Sequence, residues 1–271
     1  MRGYRSGMGT DVAVVVRVTP GVHWHALEDD VVVGKGYALH RPDDRVFVSV
    51  DTWRDDVFAT IAEAMVGDLA RPVYTLVAED DVEHLGRWSA AGFVDHRRED
   101  EVAVPTDPAV NGLAAGPAGA APPPGYTLVA ADRGDFGRLH ALDDRVRQDV
   151  PGARGWASTP QAFRDATFDP RSFDPATYLV AVHDATGDLA GLVRIWRGHH
   201  VPRLRLVGVL PAHRRRGVAR ALLAAAFEPL HARGIAEVTA EADAADVPAQ
   251  ALLAALGARR TGGVLELVHR A

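Results

Sequence analysis

The chain has no cysteine, a single lysine (Lys35) and no apolar run of eighteen residues. Without cysteine there is no disulfide, no thiol nucleophile and no cysteine-ligated metal site. Without a long apolar run no segment reads as a membrane-spanning helix. The start, Met1-Arg-Gly-Tyr-Arg-Ser-Gly-Met-Gly-Thr-Asp11, lacks the hydrophobic stretch of a signal peptide. These absences make a cytoplasmic enzyme the expectation. Basic charge is scarce in one half. Residues 1–105 hold 11 Arg/Lys against 19 Asp/Glu, a balance of −8, whereas residues 106–271 hold 19 against 17, a balance of +2. The overall charge of −6 argues against nucleic acid as a partner. An anionic ligand would find its place in the second half. Arginine in place of lysine, with abundant Ala, Gly, Asp and Val, points to a GC-rich bacterial genome.

What is present begins with size. A chain of 271 residues is long enough for two domains. Residues 106–125, TDPAVNGLAAGPAGAAPPPG, are small, proline-rich and unpatterned, and read as a linker. Domains are therefore expected at 1–105 and 126–271. The second opens with a strand at 126–130 and a helix at 133–146. A helix capped by Ser158 or Thr159, with Pro160 in its first turn, comes next. Strands are predicted at 178–183, 189–197 and 203–209, then a helix at 218–233, a strand at 236–240, a helix at 247–256 and a strand at 263–268. His199 and His200 fall in a hairpin turn with no third ligand nearby in sequence, so they read as exposed rather than metal-binding.

The stretch from Val207 to Leu223, VGVLPAHRRRGVARALL, runs from strand through a basic, glycine-containing bend into an amphipathic helix. Backbone N–H groups at a helix start suit a diphosphate, and Arg214, Arg215, Arg216 and Arg220 add positive charge. Gly217 lets the main chain approach a phosphate closely, and Ala219 keeps the next turn small. The bend lacks the second glycine of a dinucleotide fingerprint and the Gly-Lys-Ser/Thr of a P-loop. The spacing Arg214-x-x-Gly217-x-Ala219 resembles the acetyl-CoA signature of the GNAT acetyltransferase superfamily. The order of elements fits that fold, a mixed α/β sheet with helices on both faces.

Asp81-Val82 and Gly92-Phe93 have the spacing of Asp246-Val247 and Gly257-Ala258, and comparable strand–helix–strand segments precede both. The chain thus reads as two GNAT-like domains in tandem, similar to the mycothiol-synthase-like architecture. The first copy is about six residues short where the second has its arginines, and carries Asp51-Thr-Trp-Arg-Asp-Asp56 instead. Aspartates there would repel a diphosphate, so the first copy is expected to be degenerate.

The resemblance implies direct attack of an amine on the thioester of acetyl-CoA as cosubstrate. It assigns the pantetheine arm to backbone groups of Val207, Gly208 and Val209, and the diphosphate to Arg214, Arg215, Arg216, Gly217, Val218, Ala219 and Arg220. It assigns Asp246, where the second motif has asparagine, to the cosubstrate as well; Leu253 stands where a tyrosine often serves as general acid, and Ala258 where an aromatic is usual. Glu241 is the candidate base. Asp143, Asp144, Asp149, Trp156 and Trp196 fall near the expected entrance, where carboxylates would suit a cationic amine and tryptophans an apolar wall; equally, Asp143 and Asp144 read as an exposed helix face and both tryptophans as core. A primary amine of a small molecule is the expected acceptor, with the protein a monomer or homodimer and no membrane partner. An inactive acyl-CoA-binding module and a protein N-terminal acetyltransferase are the alternatives.

Overall fold

The computed structural model describes residues 14–18, 23–113, 121–198 and 201–270. The chain divides into two compact units, Met1–Glu99 with Gly262–Ala271, and Asp100–Thr261. The expected division, 1–105, a linker at 106–125 and 126–271, differs from this in two places. The strand Val94–Pro105 runs unbroken across the boundary between Glu99 and Asp100. The last strand returns to the first unit, because Leu265 and Leu267 complete its core rather than the second one.

The first unit begins with an antiparallel meander, β1 (Val14–Val18), β2 (His23–Glu28), β3 (Val31–His40) and β4 (Val46–Asp51). Helix α1 (Asp55–Asp68) carries the chain to β5 (Val73–Ala78), parallel to β4. Then come α2 (Val82–Ala90) and β6 (Val94–Pro105). The final strand, which we number β12 (Arg259–His269), pairs antiparallel with β5 from Val264 opposite Ala78 to His269 opposite Val73. The core lies beneath α1 and α2, where Phe58, Ile61, Met65, Trp88 and Phe93 are buried. Their burial follows from helical spacing of apolar residues on α1 against alternate residues of the strands.

The front of the expected linker is structured. Asp107 caps α3 (Pro108–Asn111) by accepting from the Ala109 N–H at 2.8 Å, and Asn111 bonds the carbonyls of Pro105 and Thr106. Leu113 is buried in the second unit's core. Residues 114–120 lie outside the described residues, as do His199 and His200.

The second unit continues with β7 (Tyr126–Ala130), α4 (Phe136–Arg147), α5 (Pro160–Thr167), β8 (Tyr178–His183), β9 (Leu189–Trp196), β10 (Arg203–Val209), α6 (Val218–Ala232), β11 (Glu237–Asp243) and α7 (Val247–Ala255). Strands β7 to β10 form an antiparallel meander, and β11 runs parallel to β10. The expected strands 126–130, 178–183 and 203–209 match residue for residue. The helix expected from Arg133 starts at Phe136, because Asp135 caps it by accepting from the Arg138 N–H at 2.8 Å. Thr159 rather than Ser158 caps α5. Leu142 and Val146 of α4 pack with Leu192 and Leu206 on one face of the sheet. Leu222, Leu223 and Phe227 of α6 pack with Val193, Ile195 and Val238 on the other.

The internal repeat is visible in detail. Asp81 and Asp246 each cap a nine-residue helix by accepting an N–H three residues on, at 3.0 Å. Gly92 and Gly257 follow with positive φ. Between β4 and α1 there are three residues, 52–54; between β10 and α6 there are eight, 210–217.

Candidate active site

The site grows from a fork in the sheet. Strands β10 and β11 pair only at Arg203 with Thr239 and Leu204 with Ala240. A register shift between Leu204 and Leu206 then bends β10 away. Leu210 N–H donates to Ala190 O at 2.8 Å, directly across the ladder. By antiparallel alternation, Gly208 and Leu210 turn their backbone groups to β9, and Val207 and Val209 turn theirs into the fork. Val209 O already accepts from Arg214 Nε at 2.8 Å. The N–H and C=O of Val207 and the N–H of Val209 are thus the groups the fork offers an extended ligand. Gly208 contributes by what it lacks: a Cβ there would fall 2.2 Å from Val146 Cγ1. Its absence lets α4 lie against β10.

A single 3₁₀ turn, Pro211–His213, leads from β10 to the basic bend. Arg215 then takes φ 61° and Gly217 φ 85°. A non-glycine residue in the left-handed region is costly and persists only where its surroundings fix it. The bend delivers Gly217, Val218 and Ala219 to the start of α6. Ala221 is the first to donate within the helix, to Gly217 O at 3.0 Å, so earlier N–H groups have no intrahelical acceptor. Nothing lies within 4 Å of where a Gly217 Cβ would be. An open surface at such donors is what a diphosphate requires.

The arginines of the bend separate by partner. Arg214 pairs with Asp149, Arg216 Nη1 reaches Tyr126 Oη at 3.5 Å, and Arg220 donates to Gly112 O. Arg215 is exposed. Tyr126 Oη also contacts His213 Nδ1 at 2.9 Å, and His183 packs against both rings. Burial, then the neighbouring His183 and Arg216, lower the His213 pKa. This cluster ties β7 to the bend and was not seen in sequence, since its members are scattered along the chain.

The other expected residues have different employments. Asp246 caps α7, so its carboxylate is committed to helix structure. Leu253 is buried in the core and cannot donate a proton. Glu241 lies on β11 as the first residue past the fork, but its carboxylate meets Arg203 and, at 3.7 Å, Arg205 Nη1. Glu241 is thus paired with two guanidiniums of β10. Asp143 is buried, with Arg147 Nε at 2.5 Å and Arg194 Nη1 at 3.0 Å. Asp144 contacts His140 Nε2 at 3.3 Å, and burial raises its pKa. Trp196 is faced by Arg194 and Arg205, and Trp156 by Arg147. Asp143 is thus a buried ion-pair member, Asp144 contacts a histidine, and each tryptophan has a guanidinium near its ring. No group of His, Asp and Glu suited to a metal ion occurs among the described residues. Among them, too, no helix is long and apolar enough to cross a membrane.

Comparison with known proteins agrees with this geometry. Residues 143–258 match the model of the acetyltransferase (GNAT) family. A mycothiol acetyltransferase of Clavibacter michiganensis subsp. michiganensis is 38% identical over 107 residues. That match covers 37% of this chain and 34% of the relative, so it spans about a third of the relative's length. A tandem GNAT protein from the clavulanic acid biosynthesis pathway superposes with a TM-score of 0.68 at 19% identity, over 92% of this chain and 82% of that one. A GCN5-related N-acetyltransferase from Sphaerobacter thermophilus gives 0.65 at 19% identity, over 92% and 80%. Fork, bend and family match coincide in one stretch of chain: residues 143–258 match the acetyltransferase (GNAT) family, and the chain shares its fold with a tandem GNAT protein over 92% of its length.

Proposed function

We propose that the second unit is an acetyl-CoA-dependent N-acetyltransferase acting on a primary amine of a small molecule, and that the first unit binds no cosubstrate. The observation that carries this reading is the coincidence of the fork between β10 and β11 with an open helix start entered through Arg215 and Gly217. The fork's backbone groups at Val207 and Val209 would hold the pantetheine arm as an added strand. The N–H groups from Gly217 to Ala219, with Arg215, would hold the diphosphate. Acetyl-CoA supplies the thioester carbon that accepts the amine. The protein's contribution is to align the two reactants and exclude competing geometry, which can account for several kcal/mol of rate enhancement. Glu241 enters as a positioning group that fixes Arg203 and Arg205, not as the proton acceptor. With Leu253 in the usual tyrosine position, water reprotonates the departing thiolate.

The test is thiol release from acetyl-CoA with a panel of amines. Turnover that disappears in Gly217→Val supports the reading. Binding of acetyl-CoA without turnover of any amine would leave an acyl-CoA-binding module instead.

A further inference from the structure

Across β10 from the fork, the second unit holds a cavity of about 550 Å³, the size of a small-molecule site. One wall is α4, which presents Arg138 and Arg145. Their spacing puts them on one face of the helix, about 10 Å from each other along its axis. Another wall is the β8–β9 connection with Asp188 and Leu189, and a third is the 3₁₀ turn after β10, which ends at His213. Since β9 flanks β10 opposite β11, β10 itself separates the cavity from the fork. The floor is apolar: Leu210 is buried in the core beneath α4, and Leu189 packs against that core.

The charges around this cavity do not balance. Arg138 Nη2 donates to Gly187 O, which fixes that guanidinium beside the β8–β9 connection. The exposed Arg145 side chain has no hydrogen bond, ion pair or ring contact among the described residues. Asp188 is the one carboxylate of the lining. Burial, then the neighbouring His183 and Arg216, hold the His213 pKa below its ordinary value, so its ring is uncharged at neutral pH. Two guanidiniums therefore meet one carboxylate above an apolar floor. We infer that the cavity is a second ligand site, taking a small molecule with an apolar body and an oxyanion, carboxylate or phosphate, which Arg145 receives. A guanidinium binds either oxyanion through paired N–H donors, and the two leucines bury the body that an inorganic ion lacks. The site shares no residue with the fork and stands whether or not the fork binds acetyl-CoA.

The experiment is calorimetric titration of the whole protein with phenylacetate and phenyl phosphate, with benzyl alcohol as their neutral counterpart. At least one anion is expected to bind at one site per chain, about tenfold or more tighter than the alcohol, the size of a charge-assisted hydrogen bond. The tighter of the two anions identifies the headgroup. Arg145→Gln should remove the advantage over the alcohol with thermal unfolding unchanged, since no described residue depends on that side chain. Arg215→Gln, in the bend beyond the cavity, should leave the advantage intact, and saturating acetyl-CoA should not displace the anion. Failure of both anions to bind, or equal binding of anion and alcohol, would overturn the proposal. So would an advantage that survives Arg145→Gln or is lost in Arg215→Gln, or displacement of the anion by acetyl-CoA.

Discussion

Each unit has a fork of the same construction, and the two forks are closed differently. In the first unit β4 and β5 pair at Val46 with Val73 and Phe47 with Tyr74, then part. In the second, β10 and β11 pair at two positions and part likewise. The first residues past the split are Val48 and Thr75 in one, and Arg205 and Glu241 in the other. Thr75 is buried, and its hydroxyl donates to Val48 O at 2.8 Å. A side chain of the fold thereby takes the carbonyl that an added strand would need. At the matching place in the second unit, side chains pair across the split and leave the backbone of Val207 facing outward. The connections diverge in the same sense. Residues 52–54 lead directly into a helix whose first turn holds Asp55 and Asp56, where an anion is repelled. Residues 210–217 instead form the left-handed, arginine-bearing bend. The repeated arrangement thus has one fork closed by its own side chain and one whose backbone groups stay open.

The sharpest way to break the comparison is to alter the open fork alone. Gly208→Val places a Cβ against Val146 and is expected to cost about 1–3 kcal/mol of stability by overpacking. Acetyl-CoA affinity should fall at least about tenfold as β10 shifts. Adding Val146→Ala should restore part of both, as read by denaturant titration and calorimetry. Thr75→Val does the reverse. It leaves the buried Val48 carbonyl without its donor and should destabilise the protein by about 1–3 kcal/mol, with acetyl-CoA affinity unchanged. An affinity loss in Thr75→Val would mean the forks are not independent.

A smaller effect is expected at Glu241. A general base contributes about a hundredfold or more, whereas a positioning carboxylate contributes less. Glu241→Gln should lower kcat less than about tenfold and keep the shape of the pH–rate profile. Loss of the acidic limb of that profile would restore Glu241 as the base. The smallest effect concerns His213. Its folded pKa lies below the ordinary 6.5 because burial, His183 and Arg216 oppose the charged ring. The unfolded chain therefore takes up the proton first as pH falls. The stability tied to His213 is present above about pH 6.5 and is lost as pH drops through and below that value. His213→Gln should flatten this part of the stability–pH curve, measured by thermal unfolding between pH 5 and 7, about the range where a histidine titrates.

Much of this was legible in sequence because it is local. The bend from Pro211 to Val218, the cap Thr159 and the matched spacing after Asp81 and Asp246 depend on neighbours within a few residues. The repeat followed from the same locality. What escaped depends on distant partners. Nothing near Asp143 in sequence announces Arg194, and nothing near Glu241 announces that two arginines of β10 occupy it. Asp143 therefore reads as a contact for the acceptor and Glu241 as a base, whereas both are paired with arginines. The return of β12 to the first unit is likewise a long-range pairing, decided by Leu265 and Leu267 finding a core that lies far earlier in the chain. Asp246 was assigned to the cosubstrate on resemblance, and the helix it caps is a sufficient reason for it to be there.

Calorimetric titration of the whole protein with acetyl-CoA is the most direct measurement of the difference between the forks. One site per chain, lost in Gly217→Val and retained in Thr75→Val, is the expected result. No binding, or two sites per chain, would contradict it.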